Sequence, residues 1–374
     1  MRWIRGCARI NMKEKKGVLS VKHTVLNVKK IVFEVNNLSV EFATQGGRIH
    51  AVRDVSFKVA SGETLAIVGE SGSGKSACLQ AAMGLLDKKV ARVQGSVCFE
   101  DQELLHADAA RLNKVRGPRI GMIFQDPMSA LNPTMKVGDQ IAEMLQVHEH
   151  LPKAEARLRA TELLTQMGVP DAQRRARQYP FEFSGGMLQR VMIAQSLACK
   201  PQLLIADEPT TALDVTIQQQ VLNLIRSYQK QHAMALILVT HDLAIIAQMA
   251  DQVAVMYAGK IVEEGGVDEI FYQSAHPYTL GLKQALPANQ ASDSKQLIPI
   301  PGSPPDMFHL PAGCAFAPRC SHKMAICEKV NPPVFCAREL ADVDSHLRVV
   351  HAARCWLHHS MVNPEQQKVV APFL

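Results

Sequence analysis

Short apolar runs rich in β-branched residues recur along the chain, each closed by glycine, proline or acidic residues. Residues 64–68, opened by Thr64 and apolar after it, and 203–206 and 236–239, apolar throughout, show the pattern of parallel strands buried on both faces. Residues 31–35, 38–42 and 51–59 alternate only partly around a turn at 44–47. They predict three strands forming an antiparallel edge. Two more strands are expected at 96–100 and 120–124. Residues 138–200 lack any strand pattern and predict helices. There Pro152 suits a first helical turn, and Ala154, Leu158, Leu164 and Met167 form an apolar stripe closed by Gly168 and Pro170. Further helices are expected at 77–86, at 187–198 and after Asp214, a candidate N-cap followed by Ile217, Val221, Leu224 and Tyr228 at helical spacing. At 374 residues the chain can bury a large core and hold two domains.

Polar segments follow several of these strands, and they carry the chemistry. After 64–68 comes Gly69-Glu70-Ser71-Gly72-Ser73-Gly74-Lys75-Ser76, which fits G-x-x-x-x-G-K-[ST] between a strand and a helix. Its glycines let the backbone curl so that N–H groups point at phosphate oxygens, and the helix N-terminus adds a positive dipole end. Lys75 would reach the β- and γ-phosphates, and the Ser76 hydroxyl would face magnesium. The run 203–206 ends in Asp207-Glu208-Pro209. Asp207 is placed to hold magnesium through water, and Glu208 to polarise the attacking water. Gln125, at the end of 120–124, can touch magnesium or that water, and His241, after 236–239, can reach the γ-phosphate. Ser184-Gly185-Gly186 before a helix is a second anion-binding helix end. Phe42, closing the second strand, fits either an adenine-stacking role or the core.

Charge narrows the function. Residues 1–30 hold nine Lys/Arg and one acid, a balance of +8 within a chain total of +6, so the rest carries −2. The body is not basic, which argues against nucleic acid. The leader has no apolar h-region. It reads as a disordered tail or an upstream extension, with Met12 as another start. No apolar run reaches the length of a spanning helix. Of nine cysteines, Cys7, Cys78, Cys98 and Cys199 are scattered, whereas Cys314, Cys320, Cys327, Cys336 and Cys355 crowd the tail. The spacing Cys314-x5-Cys320-x6-Cys327, with Cys355, suits a metal or cluster rather than a cytosolic disulfide. His346, His351, His358 and His359 keep zinc open as the alternative.

The ordered set 69–76, Gln125, 184–187, 203–208, 212–214 and His241 resembles the Walker A, Q-loop, signature, Walker B, D-loop and switch motifs of ABC-transporter ATPases. The likeness covers about residues 31–285. It implies a RecA-like P-loop α/β core with an antiparallel β edge and a helical subdomain at about 126–195. Two such domains would clamp two ATPs head to tail. Phe42, Gly69, Ser71, Gly72, Ser73, Gly74, Lys75, Ser76, Gln125, Asp207, Glu208 and His241 would serve one nucleotide. Ser184 and Gly186 would serve the facing one, and Gly185 and Asp214 also count among the nucleotide-binding residues. Met187 departs from the general signature's Gln, but the peptide-transporter branch resembles this chain there. Phe124-Gln125-Asp126-Pro127-Met128, Leu131-Asn132-Pro133, the run from Ala206 to Thr216 and His276-Pro277-Tyr278-Thr279 are similar to oligopeptide/dipeptide importer ATPases. Residues 299–305 and 313–320 resemble the D-type subunit of the oligopeptide permease. That likeness implies a small Cys-rich C-terminal module at 286–374. It also implies a [4Fe–4S] cluster on Cys314, Cys320, Cys327 and Cys355. The expected partners are a second homologous ATPase, two transmembrane permease subunits and a periplasmic peptide-binding protein, at the cytoplasmic face of the inner membrane. Nickel or glutathione import, and a soluble non-transport ABC ATPase, stand as alternatives.

Overall fold

The computed structural model describes residues 30–210, 213–285, 299–336, 339–341, 347–349 and 351–370. The basic leader, apart from Lys30, and His346 lie outside them. Residues 31–60 form one long hairpin rather than three short strands: β1 (Ile31–Thr44) pairs antiparallel with β2 (Gly47–Ala60). The polar break at 36–37 is a bulge within β1, where Asn37 takes φ 50° and the register shifts between Val35 and Leu38. The next strand, β3 (Thr64–Val68), leaves for a second sheet, whereas β4 (Ala91–Phe99) and β5 (Gln102–Glu103) complete the first in the order β2-β1-β4-β5.

The second sheet collects β6 (Ile120–Ile123), β7 (Leu203–Asp207), β8 (Ala235–Val239), β9 (Gln252–Tyr257) and β10 (Lys260–Gly266). It continues into the tail through β11 (Phe335–Cys336) and β14 (His351–Ala353), while β12 (Glu339–Ala341) and β13 (Leu347–Val349) pair separately. Among the described residues its order is β11-β14-β10-β9-β3-β8-β7-β6. The stretch from β9 to β6 is parallel, and β10, β14 and β11 add antiparallel.

The unbroken apolar runs reflect burial on both faces. Leu65 and Ile67 of β3 join the core beneath the first sheet, whereas Ala66 and Val68 face a second core with Tyr257, Tyr278 and Phe316. Leu204, Ala206, Leu236 and Leu238 face a third, made with the helical layer.

Up to residue 285 the α-helices among the described residues are α1 (Lys75–Ala82), α2 (Ala109–Val115), α3 (Pro127–Ala130), α4 (Val137–His148), α5 (Lys153–Gln166), α6 (Ala172–Arg175) and α7 (Gly185–Leu197), then α8 (Val215–His232), α9 (Leu243–Met249), α10 (Val267–Tyr272) and α11 (Pro277–Gln284). Between β6 and β7, α3 to α7 form the helical layer. The stripe on α5 differs from expectation. Ala156, Ala160, Leu163, Leu164 and Met167 are buried, but Ala154 is exposed and Leu158 is 63% exposed. Leu158 lies two residues from Ala156 and Ala160, about 200° around the helix from each. On α8, Val221, Leu222 and Ile225 are buried, with Ile217, Leu224 and Tyr228 half-buried beside them.

This corrected face is testable. Leu164→Ala should cost about 2–5 kcal/mol, whereas Leu158→Ala should stay within about 0.5 kcal/mol. Urea unfolding read by circular dichroism distinguishes them, and equal losses would return Leu158 to the core.

Candidate functional site

Parallel pairing places the loops that follow β3, β8, β7 and β6 at one edge of the sheet, the carboxyl edge. The loop after β3 is the glycine-rich motif. Gly74, at φ 99°, heads α1, and a Cβ there would lie 2.2 Å from the Ala51 carbonyl oxygen. A Cβ on Gly69 would lie 2.1 Å from that of Met256. Both positions therefore require glycine. Ser71 and Gly72 form the open tip, and Ser73 and Lys75 are buried. The Lys75 ammonium donates to the Gly69 carbonyl (2.8 Å), the Glu70 carbonyl (2.9 Å) and Ser73 Oγ (3.4 Å). Burial lowers the Lys75 pKa, opposed by the charges of Glu208, Asp207 and Glu70.

Asp207 and Glu208 close β7. Asp207 is 3% exposed, and its Oδ1 is buried without a hydrogen-bond partner. Burial raises its pKa, with the Ser76 hydroxyl bonding the carboxyl in opposition, Glu208 adding to the rise and Lys75 opposing it. Glu208 takes the left-handed φ of 48°, and its N–H donates to the Val239 carbonyl at 2.9 Å. Its carboxylate accepts from Gln125 Nε2 (3.0 Å) and lies 3.2 Å from His241 Nδ1. Residues 125, 208 and 241 thus meet at one carboxylate, held from the two neighbouring loops.

The other expected residues sit elsewhere. Ser184 precedes α7 as its N-cap, and it and Gly185 are exposed. A Cβ on Gly186 would lie 3.2 Å from Ile217 Cγ2, so the start of α7 packs against the start of α8. Asp214 caps α8, accepting from the Ile217 N–H at 2.9 Å. Ala212 of the same stretch lies outside the described residues. Phe42 is half-buried against the core beneath the first sheet. The sequence reading had no role for two residues that touch the phosphate loop. The Glu70 N–H donates to the Tyr278 hydroxyl at 2.8 Å, and Arg319 grips the Glu70 carboxylate at 2.6 and 2.9 Å. The only sequence signal was their presence in the runs 276–279 and 313–320.

Two family models match: ABC transporter over residues 52–211, and Oligopeptide/dipeptide transporter, C-terminal region, over 262–327. The oligopeptide transport ATP-binding protein OppD of Bacillus subtilis is 49% identical over 91% of this chain and 92% of its own. The dipeptide transport ATP-binding protein DppD of the same organism is 48% identical over 87% and 94%. The chain belongs to this family of ABC transporter ATP-binding proteins. A dimeric post-hydrolysis structure of the ATP-binding cassette MJ0796, bound to ADP and Pi, aligns with TM-score 0.57 at 26% identity. The alignment covers 63% of this chain and 98% of that one.

The tail corrects the expected iron–sulfur or zinc site. Cys314, Cys320, Cys327 and Cys355 line one cavity with Phe316 and Trp356, but its free volume is about 20 Å³, room for roughly one water. Among the described residues no group of three or more His, Cys, Asp or Glu is arranged to hold a metal ion. Burial pushes the Cys314 thiol up to about 11 and raises Cys320 and Cys355. The candidate zinc histidines are engaged elsewhere: His351 with Glu263 at 2.9 Å, His358 with the Ala275 carbonyl at 2.6 Å, and His359 accepting from the Met361 N–H at 3.2 Å. The [4Fe–4S] assignment therefore falls. The four thiols act as small hydrophobes in the tail's packing.

Asp207 yields a test with a defined sign. Its folded pKa is raised, so the charged form costs stability at neutral pH, and the cost is relieved as pH falls through the raised value. Asp207→Asn should raise the nucleotide-free melting temperature by a few degrees, roughly, at pH 8, and by less at pH 5. A calorimetric melting series checks this, and a lowered melting temperature at pH 8 would refute it.

Proposed function

We propose that this chain is the ATP-hydrolysing subunit of an importer for oligopeptides or dipeptides, working at the cytoplasmic face of the bacterial inner membrane. The observation that carries the reading is the Glu208 carboxylate, held between Gln125 and His241 beside the phosphate loop. The names of the similar proteins support peptides over nickel or glutathione.

The loop N–H groups from Gly69 to Ser76 and the start of α1 receive the phosphates. Lys75, resting on the Gly69 and Glu70 carbonyls, turns to the β- and γ-phosphates. Phe42 lies against the adenine. Magnesium, when bound with ATP, neutralises phosphate oxygens. Ser76, Asp207 and Gln125 would hold it, and the unpartnered Asp207 Oδ1 fits a cation. Glu208 orients and polarises the attacking water, Gln125 and His241 fix its carboxylate, and His241 faces the γ-phosphoryl group.

Ser184, Gly185, Gly186 and Asp214 serve the nucleotide of a facing ATPase chain. The exposed start of α7 supports this. The assembly pairs this chain with a second, homologous ATPase, two transmembrane permease subunits and a periplasmic peptide-binding protein. Among the described residues no helix is long and apolar enough to cross a membrane. We divide the chain into a nucleotide-binding domain at 31–285, with its helical subdomain at about 126–195, and a C-terminal module at 286–374.

Glu208→Gln keeps the shape and removes the base. ATP turnover should fall by about 10²- to 10⁴-fold with ATP binding retained. Phosphate release from the assembled transporter measures it, and unchanged turnover would sink the role given to Glu208.

A further inference from the structure

Glu70 is held at every polar group. Its N–H donates to the Tyr278 hydroxyl at 2.8 Å, its carbonyl accepts from Lys75 at 2.9 Å, and both carboxylate oxygens accept from Arg319 at 2.6 and 2.9 Å. Arg319 lies 249 residues further along the chain, in the tail. It is fixed in turn. Its Nε donates to the Pro301 carbonyl at 2.9 Å, and its guanidinium lies 5.9 Å from the Tyr257 ring and 6.0 Å from the Phe316 ring. The Arg319 side chain is only 5% exposed, so the fork has one geometry.

The charge around the loop explains why such a partner is needed. Three carboxylates act on Lys75: Glu208, Asp207 and Glu70. Asp207 and Glu208 have chemical work to do there. Glu70 has none, yet its negative charge sits on the loop that must receive a polyphosphate. Left unpaired, it would repel the ligand and pull on the loop.

We infer that Arg319 is a positioning residue for the nucleotide site: by neutralising and clamping Glu70 it makes the phosphate loop receptive to a polyphosphate. The tail thereby completes the site from outside the sequence motifs. Arg319 acts through Glu70 and touches no reacting atom. The inference rests on the ATP reading above.

The test measures magnesium–ATP affinity of the full-length chain by isothermal titration calorimetry. Parent, Lys75→Ala, Arg319→Gln and Glu70→Gln/Arg319→Gln are compared. Binding by the parent that is lost in Lys75→Ala upholds the ATP reading by itself, and a parent that binds no ATP overturns both. Given parent binding, Arg319→Gln should weaken affinity about tenfold, because it leaves a bare carboxylate at the loop. The double variant should recover to within about threefold of the parent, because the offending charge is gone. A tail staple without an electrostatic role would leave the double variant as weak as the single one, and that result overturns the proposal. So does an Arg319→Gln affinity equal to the parent's. Should Arg319→Gln not fold, Arg319→Lys replaces it. A loss of about threefold, removed by adding Glu70→Gln, is then expected, and no loss overturns the proposal.

Discussion

Val239 sits where the site's geometry is decided. In the sheet it pairs with Ile67 on one side and Asp207 on the other. Its carbonyl accepts the Glu208 N–H at 2.9 Å, and the Thr240 N–H next to it donates to the Ile67 carbonyl at 3.4 Å. This one level in the ladder aligns the ends of three parallel strands. A slip of one residue in any of them would turn a core face outward and displace the phosphate loop, the acids or His241 from the others. Burial on both faces makes that slip costly, so the precision of the site is inherited from the sheet.

That rigidity supports arrangements that are unfavourable in isolation. Glu208 in a left-handed backbone costs of order 1–3 kcal/mol unless its surroundings over-determine it. Here the Val239 carbonyl, Gln125 and His241 do so. Asp207 keeps a buried oxygen without a partner, and Lys75 is desolvated among acids. Asp207 keeps a polar atom that a cation would satisfy, whereas Lys75 and Glu208 already have hydrogen-bond partners that hold them at the edge. Dispersed cores hold the frame while the carboxyl edge stays unrelaxed.

Much of this was legible in the chain. Runs such as 64–68 and 203–206 announced two-sided burial because no polar residue interrupts them. The order of Lys75, Gln125, Glu208 and His241 announced the edge, because each follows a strand. Short-range rules failed where longer-range packing decides. The break at 36–37 became a bulge because β4 and β2 pair with β1 on both sides. The α5 stripe was misassigned because apolar type does not say which face meets the core, and Ala156 and Ala160 outranked Leu158. The cysteine spacing resembled a ligand set, but thiols near one another in an apolar cavity satisfy packing equally well. The Glu70–Arg319 contact was invisible because nothing local in either segment specifies a partner so distant.

That distance has a consequence for how the molecule is made. Synthesis runs from the amino terminus, so the phosphate loop leaves the ribosome long before Arg319 does. The outer strands β14 and β11 add to the main sheet later still. A chain interrupted before residue 319 would display every nucleotide-binding motif and yet carry a bare carboxylate on the loop. Under the role proposed for Arg319, nucleotide competence waits until synthesis has reached that residue.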